Sequence, residues 1–181
     1  MQETQSRAEA VGLAFRDAMG DLAAGVVMVT TTLDGRPWGM TVSACCSVSV
    51  DPPMLLVSLS ESTASARAIA ESGRFGVSLL GKRTLATAKF GAARGAPKFI
   101  ETLCREGCES GTPAVADAMA HVDCRVAQAV PAGDHVVFIG DVVCVIGSAG
   151  PDQPLVYHDR RYHRLSDESD VGAAPPSLLW L

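Results

Sequence analysis

Residues 25–63 read GVVMVTTTLDGRPWGMTVSACCSVSVDPPMLLVSLSEST, and this run constrains the fold more than any other part of the chain. The β-branched residues of Val26–Thr32 favour a strand, because a branched Cβ packs well on a pleated surface. Leu33-Asp34-Gly35-Arg36 is a hairpin signal, since Asp-Gly tolerates the positive φ that a two-residue turn demands. A second strand runs from Trp38 to Val50. Asp51-Pro52-Pro53 ends it, as proline cannot donate to a ladder. Met54–Ser60 forms a third strand. A helix over Ser62–Ser72 follows, with Ser60 or Ser62 as its N-cap. Three strands with no crossover helix between them point to antiparallel pairing.

The rest of the chain continues in the same style. Residues 8–23 repeat apolar side chains at Val11, Phe15, Ala18 or Met19, and Leu22, which predicts an amphipathic helix with one buried face. Gly73 stops the Ser62–Ser72 helix, and Arg74–Leu80 alternates Phe75, Val77 and Leu79 as a strand. Arg83–Phe90 is helical, and residues 91–117 are rich in glycine and proline. Met119–Val130 and His135–Ile146 are long strands joined by Pro131-Ala132-Gly133-Asp134, and Leu155–Leu165 is a last strand or extended segment. The pattern predicts a mainly β fold with flanking helices, an antiparallel barrel rather than a doubly wound α/β sheet. No GxGxxG follows a strand, which argues against a Rossmann nucleotide site. Residues 1–165 form one domain, and residues 166–181 form a tail that is either disordered or docked on a partner subunit through its late apolar residues.

Composition narrows the function classes. Apolar residues make up 48% of the 181 and charged residues 19%, a globular balance. A net charge of −5 argues against nucleic acid, whose phosphates want a basic face. No apolar run approaches the roughly 18 residues needed to span a bilayer. The N-terminus lacks a signal-peptide pattern, so the expected location is cytoplasmic. The six cysteines, at 45, 46, 104, 108, 124 and 144, form no CxxC pair and read as buried thiols. Cys104, Cys108, His121 and Cys124 lack the spacing of a zinc ribbon or finger, and no metal is expected.

The chemistry concentrates in the second strand. Thr41, Ser43, Ala44 and Ser47 are small and leave the backbone open to a flat ligand. Alternation puts Thr41, Ser43 and Cys45 on one face, and Val42, Ala44 and Cys46 on the other. An isoalloxazine ring, apolar on its faces and polar along one edge, fits such a seat; an ordinary half-polar strand is the competing reading. Ser58-Leu59-Ser60-Glu61-Ser62-Thr63 opens a helix, where free N–H groups favour an anion such as a flavin phosphate, or simply cap the helix. Lys89 and Phe90 can supply a cation and a stacking edge, or be a surface lysine and a core aromatic. His135 opens a strand, and the arginines of Tyr157–Arg164 can meet a dinucleotide diphosphate or form a solvated edge.

Taken in order, these features resemble the short-chain flavin reductases of two-component monooxygenases, whose fold is the Greek-key FMN-binding split barrel. The resemblance is carried by Phe15-Arg16 with Met19, by Gly25–Thr31, by Gly39-Met40-Thr41-Val42-Ser43, and by Ser47-Val48-Ser49 with Pro52-Pro53. Phe75 with Val77 and Leu79, Gly111 with Pro113, His121–Cys124, Gly133-Asp134-His135, Ile139–Val142, and Tyr157 with Arg161-Tyr162 complete it, over about residues 12–165. It implies a homodimer with flavin near the subunit interface. Met40, Thr41, Ser43, Ala44, Cys45 and Ser47 would line the ring and ribityl chain. Ser58, Ser60, Ser62 and Thr63 would approach the phosphate, with Lys89 and Phe90 near the same end. His135 would lie by the nicotinamide, and Arg161 and Tyr162 would help cover it. Members often carry Asn beside the serine of this strand; Ala44-Cys45-Cys46 stand there instead.

The implied activity is hydride transfer from NADH or NADPH to FAD or FMN, yielding free reduced flavin for a partner monooxygenase. The hydride passes from nicotinamide C4 to flavin N5 and a proton comes from solvent, so no general base is required. A flavin- or haem-binding carrier or sensor, and an oxidase that retains its flavin, are the alternatives on this fold.

Overall fold

The computed structural model describes residues 2–105, 108, 111–147 and 150–165. Its elements are α1 (Gln2–Gly20), β1 (Ala24–Gly25), β2 (Val27–Leu33), β3 (Arg36–Val42), β4 (Cys45–Val50), β5 (Pro53–Ser60), α2 (Ala64–Ser72), β6 (Arg74–Leu79), α3 (Leu85–Ala92), β7 (Cys104–Arg105), β8 (Ala114–Val115), β9 (Ala120–Ala132), β10 (His135–Gly147), β11 (Leu155–His158) and β12 (Arg161–Arg164). The expected tail, residues 166–181, lies outside the described residues.

Seven strands form one antiparallel sheet in the order β3-β2-β6-β9-β10-β5-β4. β3 and β4 sit at opposite edges of that sheet, yet only Ser43 and Ala44 separate them in the chain. The sheet therefore curls until its edges meet, and two residues of backbone bridge the seam. Cys45 N–H donates to Ser43 C=O at 3.0 Å, a tight local turn that carries the chain across, and Ser58 N–H donates to Ala44 C=O at 3.0 Å. The single strand expected over Trp38–Val50 is thus two strands on two edges, the split of a split barrel.

The core has two compartments. Inside the barrel lie Val27, Val29, Leu55, Val57, Leu59, Phe75, Val77, Cys124 and Phe138, and Ala66 and Ile69 of α2 close one end. Outside, Val26, Met28, Leu80, Ala88, Ile100, Val115, Ala118 and Leu155 pack beneath α3, the 100–118 segment and β11. β2 serves both compartments with alternate side chains, which explains its unbroken apolar and β-branched run. Burial of each large side chain here contributes about 1.5–3 kcal/mol. Gly140 makes room for the barrel's aromatic: a Cβ there would lie 2.7 Å from Phe75 Cζ.

The local signals behave as their chemistry dictates. Asp34 and Gly35 take φ of 52° and 74° in the β2–β3 turn, and Gly73 takes 67° at the end of α2, where its N–H donates to Ile69 C=O at 2.8 Å. The N-cap of α2 is Thr63 and not Ser60 or Ser62. Its Oγ1 accepts from Ala66 N–H at 3.1 Å and donates to Ser60 C=O at 2.8 Å. Ser60 is still in β5, paired with His135, and its hydroxyl lies 3.0 Å from that of Ser62. The last segment is a hairpin, β11–β12, turned through Asp159 and Arg160 at φ 46° and 58°.

Two expectations are corrected. The apolar side chains of α1 are not buried within this chain: Val11, Leu13, Phe15 and Met19 are all exposed, Phe15 by 63%, and so is Leu22 just beyond the helix. The helix is tethered at its C-terminus, where Asp159 N–H donates to Gly20 C=O and Arg160 approaches Asp17 at 3.7 Å. Nor are all six cysteines thiols, since Cys108 and Cys144 form a disulfide. Cys45, Cys46, Cys104 and Cys124 are free, but of these only Cys124 is buried; Cys45 and Cys104 are half-buried and Cys46 is exposed. Among the described residues, no helix is long and apolar enough to cross a membrane.

Candidate active site

The seam organises the site. Met40 and Val42 of β3 pack against the barrel interior, so Thr41 between them faces out. At Ser43-Ala44 the turn resets the alternation, and Cys45 faces the interior again. Burial, and then the neighbouring Cys46, push the Cys45 thiol up to about 11. Met40 and Cys45 can therefore meet a ligand only through their backbone. Ser43, Ala44, Cys46 and Ser47 are exposed, leaving a short stretch of main chain uncovered.

Thr41 and Ser43 line an open cavity of about 220 Å³ together with Val26, Val42, Ala92, Tyr157 and Tyr162. Thr41 Oγ1 is buried and has no hydrogen-bond partner. That oxygen is closed off behind Gly91, so Thr41 meets the cavity through its other atoms. The wall formed by α3 is close: a Cβ on Gly91 would lie 2.4 Å from Thr41 Oγ1. The lining also holds an aromatic pair, Tyr157 and Tyr162, with ring centroids 5.5 Å apart and edge-on. Tyr162 donates to Ala88 C=O at 3.4 Å, and burial followed by Tyr157 raises its pKa.

A second group continues from the seam along the outer face of the sheet. Leu55, Val57 and Leu59 of β5 point inward, so Ser58 and Ser60 point outward. Ser60 pairs in register with His135 and Ser58 with Val137. His135, with 43% of its side chain accessible, has Nδ1 2.7 Å from Asp134 Oδ1. The carboxylate accepts, so Nδ1 carries the proton and Nε2 is left for a ligand. This hydrogen bond, then the histidine's charge, hold the Asp134 carboxyl below its usual range. Ser62 is exposed, with its C=O accepting from Arg67 Nη1 at 3.0 Å, whereas the Thr63 hydroxyl is spent on its cap.

The expected residues thus fall into two adjoining sets. Thr41, Ser43 and Tyr162 meet in the cavity. Ala44, Ser58, Ser60, Ser62 and His135 follow the strand edge. Lys89 and Phe90 are exposed on α3, Lys89 one turn before the cavity residue Ala92, and Arg161 is exposed on β12. Val26, Val42, Ala92, Tyr157 and Arg67 were not anticipated. Val26, Val42 and Tyr157 lie within stretches that carry the family resemblance, whereas nothing in the sequence pointed to Ala92 or Arg67.

His121 is buried elsewhere, on β9. Its Nδ1 lies 2.9 Å from Ser78 Oγ and its Nε2 3.1 Å from Thr112 Oγ1, and Thr112 donates to Asp123 Oδ1 at 2.8 Å. Burial, then Arg105, push its pKa down to about 4. The side chain is fully covered, so this network holds residues 112–115 against the barrel and cannot reach a substrate. Among the described residues, no cluster of three or more His, Cys, Asp or Glu side chains can hold a metal ion.

The site residues suit a flavin on these grounds: an exposed stretch of main chain at the seam, an adjoining open cavity with an aromatic pair in its lining, and outward-facing serines on β5. Comparison with known proteins bears on the same point. The family model described as flavin reductase like domain matches residues 19–166. A flavin reductase (NADH) of Kitasatospora aureofaciens is 41% identical over 172 residues, covering 92% of this chain and 88% of that protein. The reductase component of a 4-nitrophenol 4-monooxygenase/4-nitrocatechol 2-monooxygenase of Rhodococcus opacus is 34% identical, covering 82% of this chain and 78% of that protein. Among solved structures, nitrilotriacetate monooxygenase component B from Mycobacterium thermoresistibile superposes with a TM-score of 0.84 at 27% identity, covering 92% of this chain and 93% of that one. A split barrel whose seam and cavity suit a flat ring, and a family match over most of its length, lead to one conclusion: the chain belongs to the flavin reductase like domain family.

Proposed function

We propose that this chain is an NADH-dependent flavin reductase, working as a homodimer, that releases reduced FAD or FMN to a separate monooxygenase. The observation that carries the reading is the open cavity beside the seam, lined by Thr41, Ser43, Tyr157 and Tyr162, next to the exposed residues Ser43, Ala44 and Ser47. The activity accords with the names of the Kitasatospora and Rhodococcus relatives. The dimer accords with the uncovered apolar residues of α1.

The flavin supplies the hydride-accepting chemistry when bound. The chain's own residues bind, orient and shield. The Cys45 N–H is already given to Ser43 C=O. Backbone groups of Thr41, Ser43, Ala44 and Ser47, with Met40 behind them, would hold the polar edge of the ring. Fixed N–H groups of this kind stabilise developing negative charge without reorganising. Ser58, Ser60 and Ser62 receive the phosphate end, Thr63 contributes through its backbone, and Arg67, Lys89 and Phe90 flank it. His135 presents Nε2 to the nicotinamide, with its ring oriented by Asp134. Tyr162, backed by Tyr157 and followed from Arg161 along β12, covers the cavity and limits water.

The test is a steady-state assay of NADH oxidation by the purified chain with FAD, FMN or no added flavin. The proposal expects turnover that saturates with flavin and ceases without it. A protein that binds flavin and never oxidises NADH is a carrier, and one that needs no added flavin retains its own; either outcome defeats the proposal.

A further inference from the structure

Two elements that line the Thr41 cavity are joined upstream of it by one carboxylate. α3 reaches the cavity through Ala92, and the β11–β12 hairpin reaches it through Tyr157 and Tyr162. The segments leading into them, residues 81–84 and 152–154, are bound together. Lys82 N–H donates to Gln153 C=O at 2.8 Å, and Leu155 N–H to Leu80 C=O at 3.0 Å. Asp152 ties the same two segments with only 5% of its side chain accessible. Its Oδ1 accepts from Gln153 N–H at 2.9 Å, and its Oδ2 accepts from Arg83 N–H at 3.3 Å, with Arg83 Nε 3.5 Å away. Gly81 shows how close the approach is. A Cβ there would overlap the Asp152 carboxylate and lie 3.1 Å from Gln153 C=O, although the residue's φ of −115° is open to any side chain. The glycine therefore serves close packing and not an unusual backbone conformation.

Resting on the reductase reading above, we infer that Asp152 is a positioning residue for the flavin: it fixes α3 against the β11–β12 hairpin and so sets the width of the Thr41 cavity. Asp152 does not line that cavity and acts through the elements it joins. The lever is long. At about 1.5 Å per residue, α3 carries Ala92 about 12 Å beyond Thr84, so a tilt of about 5° at the clamp moves the cavity lining by about 1 Å. A displacement of that size is enough to spoil the alignment of two stacked reacting rings. The other tie between the two elements, from the Tyr162 hydroxyl to Ala88 C=O, is long at 3.4 Å and too weak to replace the clamp. The charged, buried acceptor makes the stronger bonds.

The experiment compares the full-length wild type with Asp152→Ala, Asp152→Asn and Gly81→Ala, at a temperature where circular dichroism shows the protein folded. The readouts are kcat and KM for FMN at saturating NADH, and the fluorescence of FMN saturated with protein, which nearby tyrosine rings quench. Asp152→Ala removes both bonds, so KM for FMN rises about tenfold while kcat stays within about threefold. Asp152→Asn keeps the Gln153 bond through Oδ1 but cannot accept from Arg83, and KM rises about threefold. Gly81→Ala keeps the carboxylate, pushes the two segments apart and matches Asp152→Ala. Bound FMN is brighter in each variant, because the ring is held less closely to Tyr157 and Tyr162. A carboxylate that served stability alone would lower the urea midpoint and the active fraction, hence kcat, and leave KM and the bound fluorescence unmoved. That result in Asp152→Asn and Gly81→Ala overturns the inference, and these two carry the test should Asp152→Ala fail to fold. A wild type that binds no FMN or oxidises no NADH overturns the reductase reading instead, so the two failures are distinct.

Discussion

His135 stands at the mouth of β10 with one ring nitrogen tied to Asp134 and the other free, and that geometry sets its expected role. His135→Ala removes a group proposed to meet the nicotinamide and leaves the seam intact. kcat/KM for NADH should fall about tenfold while flavin affinity, read by fluorescence quenching, stays within about twofold. His121 belongs to stability. Its folded pKa of about 4 lies below the 6.5 of an unstrained histidine, so the unfolded chain takes up the proton first. Its contribution is full above about pH 6.5 and is lost as pH falls towards 4, up to about 3 kcal/mol at 1.36 kcal/mol per unit. Urea midpoints at about pH 7.5 and pH 4.5 should differ less in His121→Gln, whose amide does not titrate, than in the wild type. Sequence alone singled out His135 through Gly133-Asp134-His135, a turn followed by a strand. It could not distinguish the free Thr41 hydroxyl from the capping Thr63 hydroxyl, because that difference depends on which side chains lie within reach.

Among the elements, the hairpins were legible and the seam was not. Asp34-Gly35 and Gly133 write their turns locally, through backbone conformations that few residues adopt. No glycine or proline marks the Ser43-Ala44 crossing, and its residues are as small and polar as those on either side. The break exists because two distant sheet edges meet there, a long-range condition invisible to local pattern. For the same reason Val26, Ala92 and Tyr157, far apart in sequence, were not foreseen as neighbours in one cavity. The disulfide partners, 36 residues apart, are a further case. The close seating of α3 on β3 is testable. A Cβ on Gly91 would lie 2.5 Å from Met28 Cε and 2.9 Å from the Thr41 amide nitrogen, which is backbone and cannot swing aside. Gly91→Ala should destabilise the fold by about 1–3 kcal/mol in chemical denaturation and weaken flavin binding, because α3 must lift from Thr41.

At the scale of the molecule, the barrel is complete within one chain and its helix α1 is not. Four large apolar side chains, Val11, Leu13, Phe15 and Met19, lie open to solvent on an element tethered at one end. The helical period of that segment was legible from the sequence; its exposure was not, because the same pattern fits a face packed on the chain's own barrel and one left open. Sedimentation should give a dimer mass for the wild type and a monomer mass for Phe15→Asp/Met19→Asp, and a monomeric wild type contradicts the homodimer. The central claim is that main chain at the barrel seam, beside the Thr41 cavity, seats the flavin ring. The most direct measurement is calorimetric titration of FMN and FAD into the wild type and into Ser43→Phe, which places a ring where the flavin should lie. The account predicts saturable binding by the wild type and an affinity loss of about a hundredfold or more in the variant. Equal affinity in the two proteins, or no binding by the wild type, would contradict it.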